Sequence, residues 1–146
     1  MLFRSVDRAL REEGVEGPWL ELELTERVLM DDVDATRQML VRLKALGLRI
    51  AIDDFGTGYS SLGHLKDLPI DRLKVDRSFV RDLPGDGGAL AVARAIIELA
   101  HSLGLKVTAE GVETEVQAAA LASLGCHELQ GLLLGRPRPA SEWPDA

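Results

Sequence analysis

A chain of 146 residues is long enough for one domain with its own hydrophobic core, and 46% hydrophobic with 28% charged residues is the profile of a soluble globular protein, not a disordered or fibrous one. No apolar run nears the ~20 residues of a membrane span, and the start, MLFRSVDRALREEG, lacks the apolar stretch of a signal peptide. The net charge of −7, from 17 basic and 24 acidic residues, argues against a nucleic acid polymer as partner, because phosphate contacts draw on lysine and arginine.

Leu2, Phe3, Val6 and Leu10 recur at helical spacing, and Gly14 ends that helix. Trp19 to Thr25, WLELELT, alternates with the period of a strand. Asp31, Asp32 and Asp34 supply cap and first-turn acids for a helix reaching Leu46, closed by Gly47. Leu48 to Ile52 is a short apolar strand, Phe55 to Gly63 a Gly- and Ser-rich loop leading into a short helix, and Leu73 to Val75 a third strand. A long helix follows the turn at Leu83 to Gly88, with Leu90, Ala93, Ile96 or Ile97, Ala100 and Leu103 as its buried stripe. Lys106 to Ala109 is a fourth strand, Glu115 to Leu124 a helix, and Leu129 to Leu134 a fifth strand. The tail, GRPRPASEWPDA, wraps the surface or starts a last short helix. This alternation of five strands with about five helices is the rhythm of a parallel α/β fold.

The single cysteine, Cys126, excludes an internal disulfide and a cysteine-built zinc cluster; it reads as a buried free thiol, and the cytoplasm is the expected compartment. His64, His101 and His127 are far apart in the chain and read as structural or exposed. Ser60 and Ser61 sit in a Gly-rich loop with no histidine to activate them, so loop solvation is the simpler reading.

The strand ends are more informative. The first strand ends at Glu23 and Glu26, the second at Asp53 and Asp54, the third at Lys74 and Asp76, and the fourth at Glu110 and Glu113, while the fifth opens at Gln130. Each has a plain alternative: an Asp-Asp pair makes a turn with a helix cap, Glu23 a solvent-facing strand position, Lys74 a snorkelling surface residue. Repetition over five strands favours a shared site. In a parallel barrel the C-terminal strand ends gather at one mouth. Carboxylates crowded there need a cation, and hard oxygen ligands suit Mg²⁺ or Mn²⁺.

The strings LELTE (Leu22 to Glu26), DDFGTGYSSL (Asp53 to Leu62), LKVDRSFV (Leu73 to Val80), AEGVE (Ala109 to Glu113) and QG followed by LGRP (Gln130 to Pro137) resemble the successive signatures of the EAL domain. The resemblance identifies residues 1–146 as a single partial EAL domain. It implies a partial TIM-like (β/α) barrel whose mouth holds two divalent metals and hydrolyses cyclic-di-GMP to linear pGpG. Glu23, Asp53, Asp54 and Glu110 would be the metal ligands, with Glu110 ligand or general base. Lys74 would hold the attacking water or neutralise developing charge, and Gln130 would orient water or substrate. Asp76 would support Lys74 and the metal shell, and Glu113 would stand behind the ligands. Glu26 would anchor the loop of Gly56, Thr57 and Gly58, which would communicate with a dimer partner. An upstream sensor or GGDEF-type domain is compatible with this picture.

Two departures accompany the resemblance. The Glu-Ala-Leu strand and the strand bearing an asparagine ligand are absent, where a full barrel takes about 250 residues. The half barrel is therefore expected to expose apolar strand edges and a helix-docking face, to self-associate, and to be impaired in hydrolysis. A noncatalytic cyclic-di-GMP-binding or protein-interaction module is the alternative. Leu132 also stands where the family usually has an aromatic residue.

Overall fold

The computed structural model describes residues 2–58 and 62–143. Ser60 and Ser61, the end of the loop expected to face a dimer partner, and the last three residues of the tail lie outside them.

Helix α1 (Leu2–Glu13) turns Val6 inward and ends at Gly14, whose φ of +64° suits a residue without a Cβ. A single 3-10 turn at Gly17–Trp19 then leads into β1 (Glu21–Thr25), so this strand starts two residues later than its alternation suggests. The expected helix is α3 (Val33–Ala45), and a short helix that was not expected, α2 (Glu26–Asp31), precedes it. They break at Asp32, which is extended and whose side chain accepts a hydrogen bond from Ala35 N at 3.0 Å, so the acid caps the second helix instead of continuing the first. Strand β2 (Arg49–Phe55) carries on through both aspartates. After α4 (Leu62–Leu65) and β3 (Arg72–Val75) comes α5 (Arg77–Val80), which was not expected. It exists because Asp76 caps it, accepting from Ser78 N at 2.9 Å.

Helix α6 (Gly87–Ser102) buries Ala89, Ala93, Ile96, Ile97 and Ala100, and β4 spans Lys106–Ala109. Helix α7 (Glu115–Ser123) begins with a capping box between Thr114 and Gln117. Strand β5 is only Glu128–Leu129, not the apolar run to Leu134. The reason is Gly131: a Cβ there would stand 2.1 Å from Val112 O, and the chain turns at that contact, with Leu134 N donating to Gly131 O at 3.1 Å.

The strands form one parallel sheet in the order β1-β2-β3-β4-β5. Successive crossovers of one hand put the helices on one face. That face carries Ile50, Ile52, Leu73, Val75, Val107 and Ala109, all fully buried. The other face is polar. In register across it lie Glu21, Arg49 and Glu23 on the first two strands, then Arg72, Lys74, Lys106, Thr108 and Glu128. The uncovered side of the sheet is lined by charges, and the apolar side is closed by α2, α3 and α6.

At the N-terminal end of this polar face Arg72, nearly buried, donates to Glu21 (3.1 Å), Thr108 (2.6 Å) and Glu128 (2.6 Å). At the same end His101 and His127, far apart in sequence, meet edge to face with ring centroids 5.0 Å apart. His127 Nδ1 accepts from Val107 N at 3.1 Å, and Cys126 is half-buried, its thiol directed at Glu128 O at 3.2 Å. These residues hold β5 to β4, which is a structural role.

Close approach at Gly17 supplies a direct check. A Cβ there would meet Leu46 O at 1.8 Å, whereas one at Gly87 has nothing within 4 Å. Gly17→Ala is expected to cost about 1–3 kcal/mol in urea unfolding. Gly87→Ala, at the start of α6, is expected to be neutral or to add about 0.5 kcal/mol.

Candidate active site

Lys74 lies at the centre of the opposite end of the polar face. Its side chain is only 5% exposed, and its Nζ is 2.7 Å from Glu23, 2.5 Å from Glu110 and 3.6 Å from Asp53. Four groups from β1, β2, β3 and the end of β4 thus converge because the register sets Glu23, Asp53, Lys74 and Glu110 on one face. Burial works against the charge on Lys74, yet the hydrogen bonds it donates to Glu110 and Glu23 outweigh it and hold the ammonium protonated well above the usual lysine range.

Asp53 and Asp54 are neighbours in one strand and would ordinarily point to opposite faces. The pairing of β2 with β3 shifts register between Ile52 and Phe55, a bulge that brings both carboxylates to the mouth. Asp54 adopts φ +54°, unusual for a residue other than glycine, and its N–H donates to Asp53 Oδ1 at 3.0 Å. Backbone strain of roughly 1 kcal/mol is thereby stored at the site. One oxygen each from Asp53, Asp54 and Glu110 come within 4.8 Å of one another. This hard, half-buried donor set fits a divalent cation such as Mg²⁺ or Mn²⁺.

Asp54 and Glu110 hold their protons above the usual carboxylate range. Burial raises Asp54, with Asp53 and a hydrogen bond shared with Asp76 adding to it. Burial also raises Glu110, opposed by Lys74. Asp76 shifts the other way: burial would raise it, but hydrogen bonds from Ser78 prevail and hold it low. Asp76 thus stands close enough to Asp54 to influence its proton, and it caps α5.

Glu26, at the start of α2 and 4% exposed, accepts from Gly56 N at 3.1 Å; a Cβ on Gly58 would lie 3.3 Å from its carboxyl carbon. Thr57 returns to Asp54, donating from Oγ1 to Asp54 O at 2.7 Å. The residues Gly56 to Gly58 are therefore tied at one end to Glu26 and at the other to the strained aspartate. Gln130 is exposed beyond the end of β5, positioned by its backbone: N donates to Ala109 O at 2.8 Å and its carbonyl accepts from Val112 N at 3.0 Å. Glu113 is exposed on the wall of a neighbouring cleft with Asp76, Arg77, Arg81 and Thr114. Of the residues singled out by sequence, Glu23, Asp53, Asp54, Lys74, Asp76 and Glu110 thus come together, Glu26 with Gly56, Thr57 and Gly58 brace them, and Gln130 and Glu113 lie outward.

Glu23 is half exposed, bonded to Lys74, and outside the carboxylate triplet that approaches within 4.8 Å. Sequence reasoning passed over Arg77, which follows the third strand's Asp76 and lines two adjoining clefts beside the cluster. One signal was present: its place directly after a polar strand end. Arg72 was likewise missed, since its burial depends on partners from β1, β4 and β5.

The family model of the EAL domain matches residues 2–137. The chain is 50% identical over 141 residues to the bifunctional diguanylate cyclase/cyclic di-GMP phosphodiesterase MucR of Pseudomonas aeruginosa, covering 97% of this chain and 21% of that protein. It is 50% identical over 138 residues to the cyclic di-GMP phosphodiesterase NbdA of the same organism, covering 94% of this chain and 18% of that one. The chain therefore spans about a fifth of the length of these curated relatives. Among solved structures, the MucR phosphodiesterase in complex with c-di-GMP superposes with a TM-score of 0.93, covering 97% of this chain and 57% of its own. A manganese/cy-diGMP complex of Klebsiella pneumoniae BlrP1 superposes with a TM-score of 0.82 at 36% identity, covering 89% of this chain and 33% of its own.

Protons and a cation compete for the same oxygens, because ligand carboxylates must be ionised to bind. With Asp54 and Glu110 raised from 3.8 and 4.5, the affinity for Mn²⁺ is expected to climb as pH rises through and above that range. Calorimetry between about pH 5 and 7 checks it, and Glu110→Gln is expected to weaken binding at least tenfold and flatten the pH dependence. An affinity that ignores pH would contradict the assignment.

Proposed function

The chain belongs to the EAL-domain family, and from that premise we propose that it carries the metal-binding part of a phosphodiesterase that hydrolyses cyclic-di-GMP to linear pGpG. The observation that carries this reading is the convergence of Asp53, Asp54 and Glu110 around the buried Lys74 at the C-terminal end of a parallel sheet. Bound Mg²⁺ or Mn²⁺ would be held by Asp53, Asp54 and Glu110, with Glu23 at the side, and would acidify a water and offset phosphodiester charge.

The chain's own groups then divide the work. Glu110, held half-buried beside Lys74, serves either as a ligand of the cation or as the base that accepts the proton of the attacking water. Lys74, kept cationic, neutralises charge on the phosphoryl oxygens. Gln130 orients water or substrate, and Glu26 keeps Gly56 to Gly58 in place beneath Asp54. Water adds to phosphorus as one ester oxygen departs, opening the cyclic dinucleotide at one phosphodiester bond.

A noncatalytic binding role draws on a specific observation: among the described residues only three carboxylates approach closely enough to share a cation, and Glu23 is engaged by Lys74. The isolated chain is accordingly expected to turn over slowly, lacking the Glu-Ala-Leu ligand strand. We further propose that the working protein is cytoplasmic, couples this unit to other domains and self-associates. No helix among the described residues is long and apolar enough to cross a membrane.

Product analysis tests the reading. Linear pGpG is expected with Mg²⁺ or Mn²⁺, lost in EDTA, opposed by Ca²⁺ and reduced at least a hundredfold by Glu110→Ala. Saturable cyclic-di-GMP binding with no product under any cation would favour the noncatalytic role.

A further inference from the structure

A second group of titratable side chains lies at the end of the sheet away from the carboxylate cluster, where β5 begins. Strand β5 is two residues long, so little holds it to β4. His127, just before it, makes two bonds to one residue: its N donates to Val107 O at 3.2 Å, and its Nδ1 accepts from Val107 N at 3.1 Å. A backbone N–H can only donate, so Nδ1 must carry a bare lone pair, and the single proton of the neutral ring stands on Nε2. His101, at the end of α6, has the same tautomer for the opposite reason. Its Nε2 lies 2.9 Å from Gly125 O, which can only accept, so the bonded nitrogen is the protonated one. Gly125 admits this ring, since a Cβ there would stand 2.8 Å from His101 Cε1.

The two exposed rings therefore respond differently to acid. Each can take a second proton only at Nδ1. On His101 that nitrogen has no hydrogen bond among the described residues, and the bond to Gly125 O becomes charge-assisted. On His127 the incoming proton takes the lone pair that holds Val107, leaving two donors face to face. The charges around His127 act in the same sense. Lys106 from β4, His101 from α6 with its ring centroid 5.0 Å away, and Arg72 from β3 oppose a cation there. Glu128 on β5 favours one, but Arg72 already engages its carboxylate at 2.6 Å. Cys126, in the turn before β5, adds no charge, because burial pushes its thiol up. Burial of the bonded side of the ring, then Lys106 and His101, hold His127 below the usual imidazole range. A histidine that the fold keeps neutral lends stability that is fully present above pH 6.5 and is lost as pH falls below it.

We propose that His127 is an acid-sensitive latch on β5: a proton at its Nδ1 releases Val107 N and loosens the two-residue strand that carries Gln130, whereas a proton on His101 leaves the strand in place. Gln130 follows Leu129 directly and is held only by its backbone, N to Ala109 O at 2.8 Å and its carbonyl to Val112 N at 3.0 Å. The strand is thus a short lever with His127 at one end and Gln130 at the other. Release of the lever is a property of the backbone alone; its bearing on hydrolysis rests on the role given to Gln130 above.

NMR on the ¹⁵N-labelled full chain in EDTA, titrated between about pH 7.5 and 5.5, tests the latch. His127 Nδ1 is expected to resonate as a bare nitrogen at the upper end and to titrate with a midpoint below 6.5. Over the same interval, protection of the Val107 and Gln130 amides from hydrogen exchange is expected to fall about tenfold, while the amides of β2 and β3 stay protected. His127→Asn, whose side-chain oxygen can accept from Val107 N without titrating, is expected to abolish the loss at Gln130. His101→Gln keeps a donor for Gly125 O and removes a neighbouring charge, and is expected to raise the His127 midpoint. A proton on Nδ1 at the upper end, a His127 midpoint at or above 6.5, or a loss at Gln130 that persists in His127→Asn overturns the inference. Protection lost across the whole sheet at one midpoint overturns it as well, since that is global unfolding. No step of the test uses nucleotide or cation, so a chain that fails to hydrolyse cyclic-di-GMP leaves the latch standing, and a failed latch leaves the hydrolytic reading standing.

Discussion

The ammonium of Lys74 is the constraint on which the mouth of this sheet depends. Glu23, Asp53 and Glu110 approach from three other elements, and their mutual repulsion at such distances would be costly in a half-buried setting. One cation, itself almost wholly buried, offsets three acids and is in turn kept charged by them. Removing it would leave buried charge without a partner, which costs far more than an exposed pair contributes. The fit of the pocket to a divalent cation follows from the same crowding: Lys74 supplies one positive charge where the surrounding acids can accommodate more.

The polar face repeats the scheme two residues earlier on β3. Arg72 sits below Lys74 with Glu21, Thr108 and Glu128 around it. A strand whose side chains alternate sends Leu73 and Val75 to the helices and the two cations to the other side. The sheet is thereby hydrophobic on one face and salt-linked on the other, and the same alternation that builds the core delivers the functional groups to the mouth.

Much of this was legible because it is local. The helical stripe of α6, the strand at Lys106–Ala109 and the polar groups at strand ends follow from period and composition alone. What was not legible depends on distant contacts. The end of β5 turns on the close approach of Gly131 to Val112. Leu129 to Leu134 reads as a strand because an apolar run does not say whether its residues will be covered, and here two of its leucines are not. Asp53 and Asp54 were marked as candidates from their position, but alternation predicts that they diverge. Only the shift in register with β3 and the left-handed backbone at Asp54 bring them to one side. His101 and His127 meet for a similar reason, since α6 ends beside the start of β5 although 26 positions separate the two histidines in the chain.

The two levels of the polar face differ in what their cations are free to do. Arg72 is committed to three partners far from the cleft, while Lys74 sits among acids that can be traded for another ion. Inheritance can therefore act on them independently. A descendant that loses an aspartate above keeps its fold through the lower level, so the mouth can change its chemistry without the sheet losing its salt-linked face.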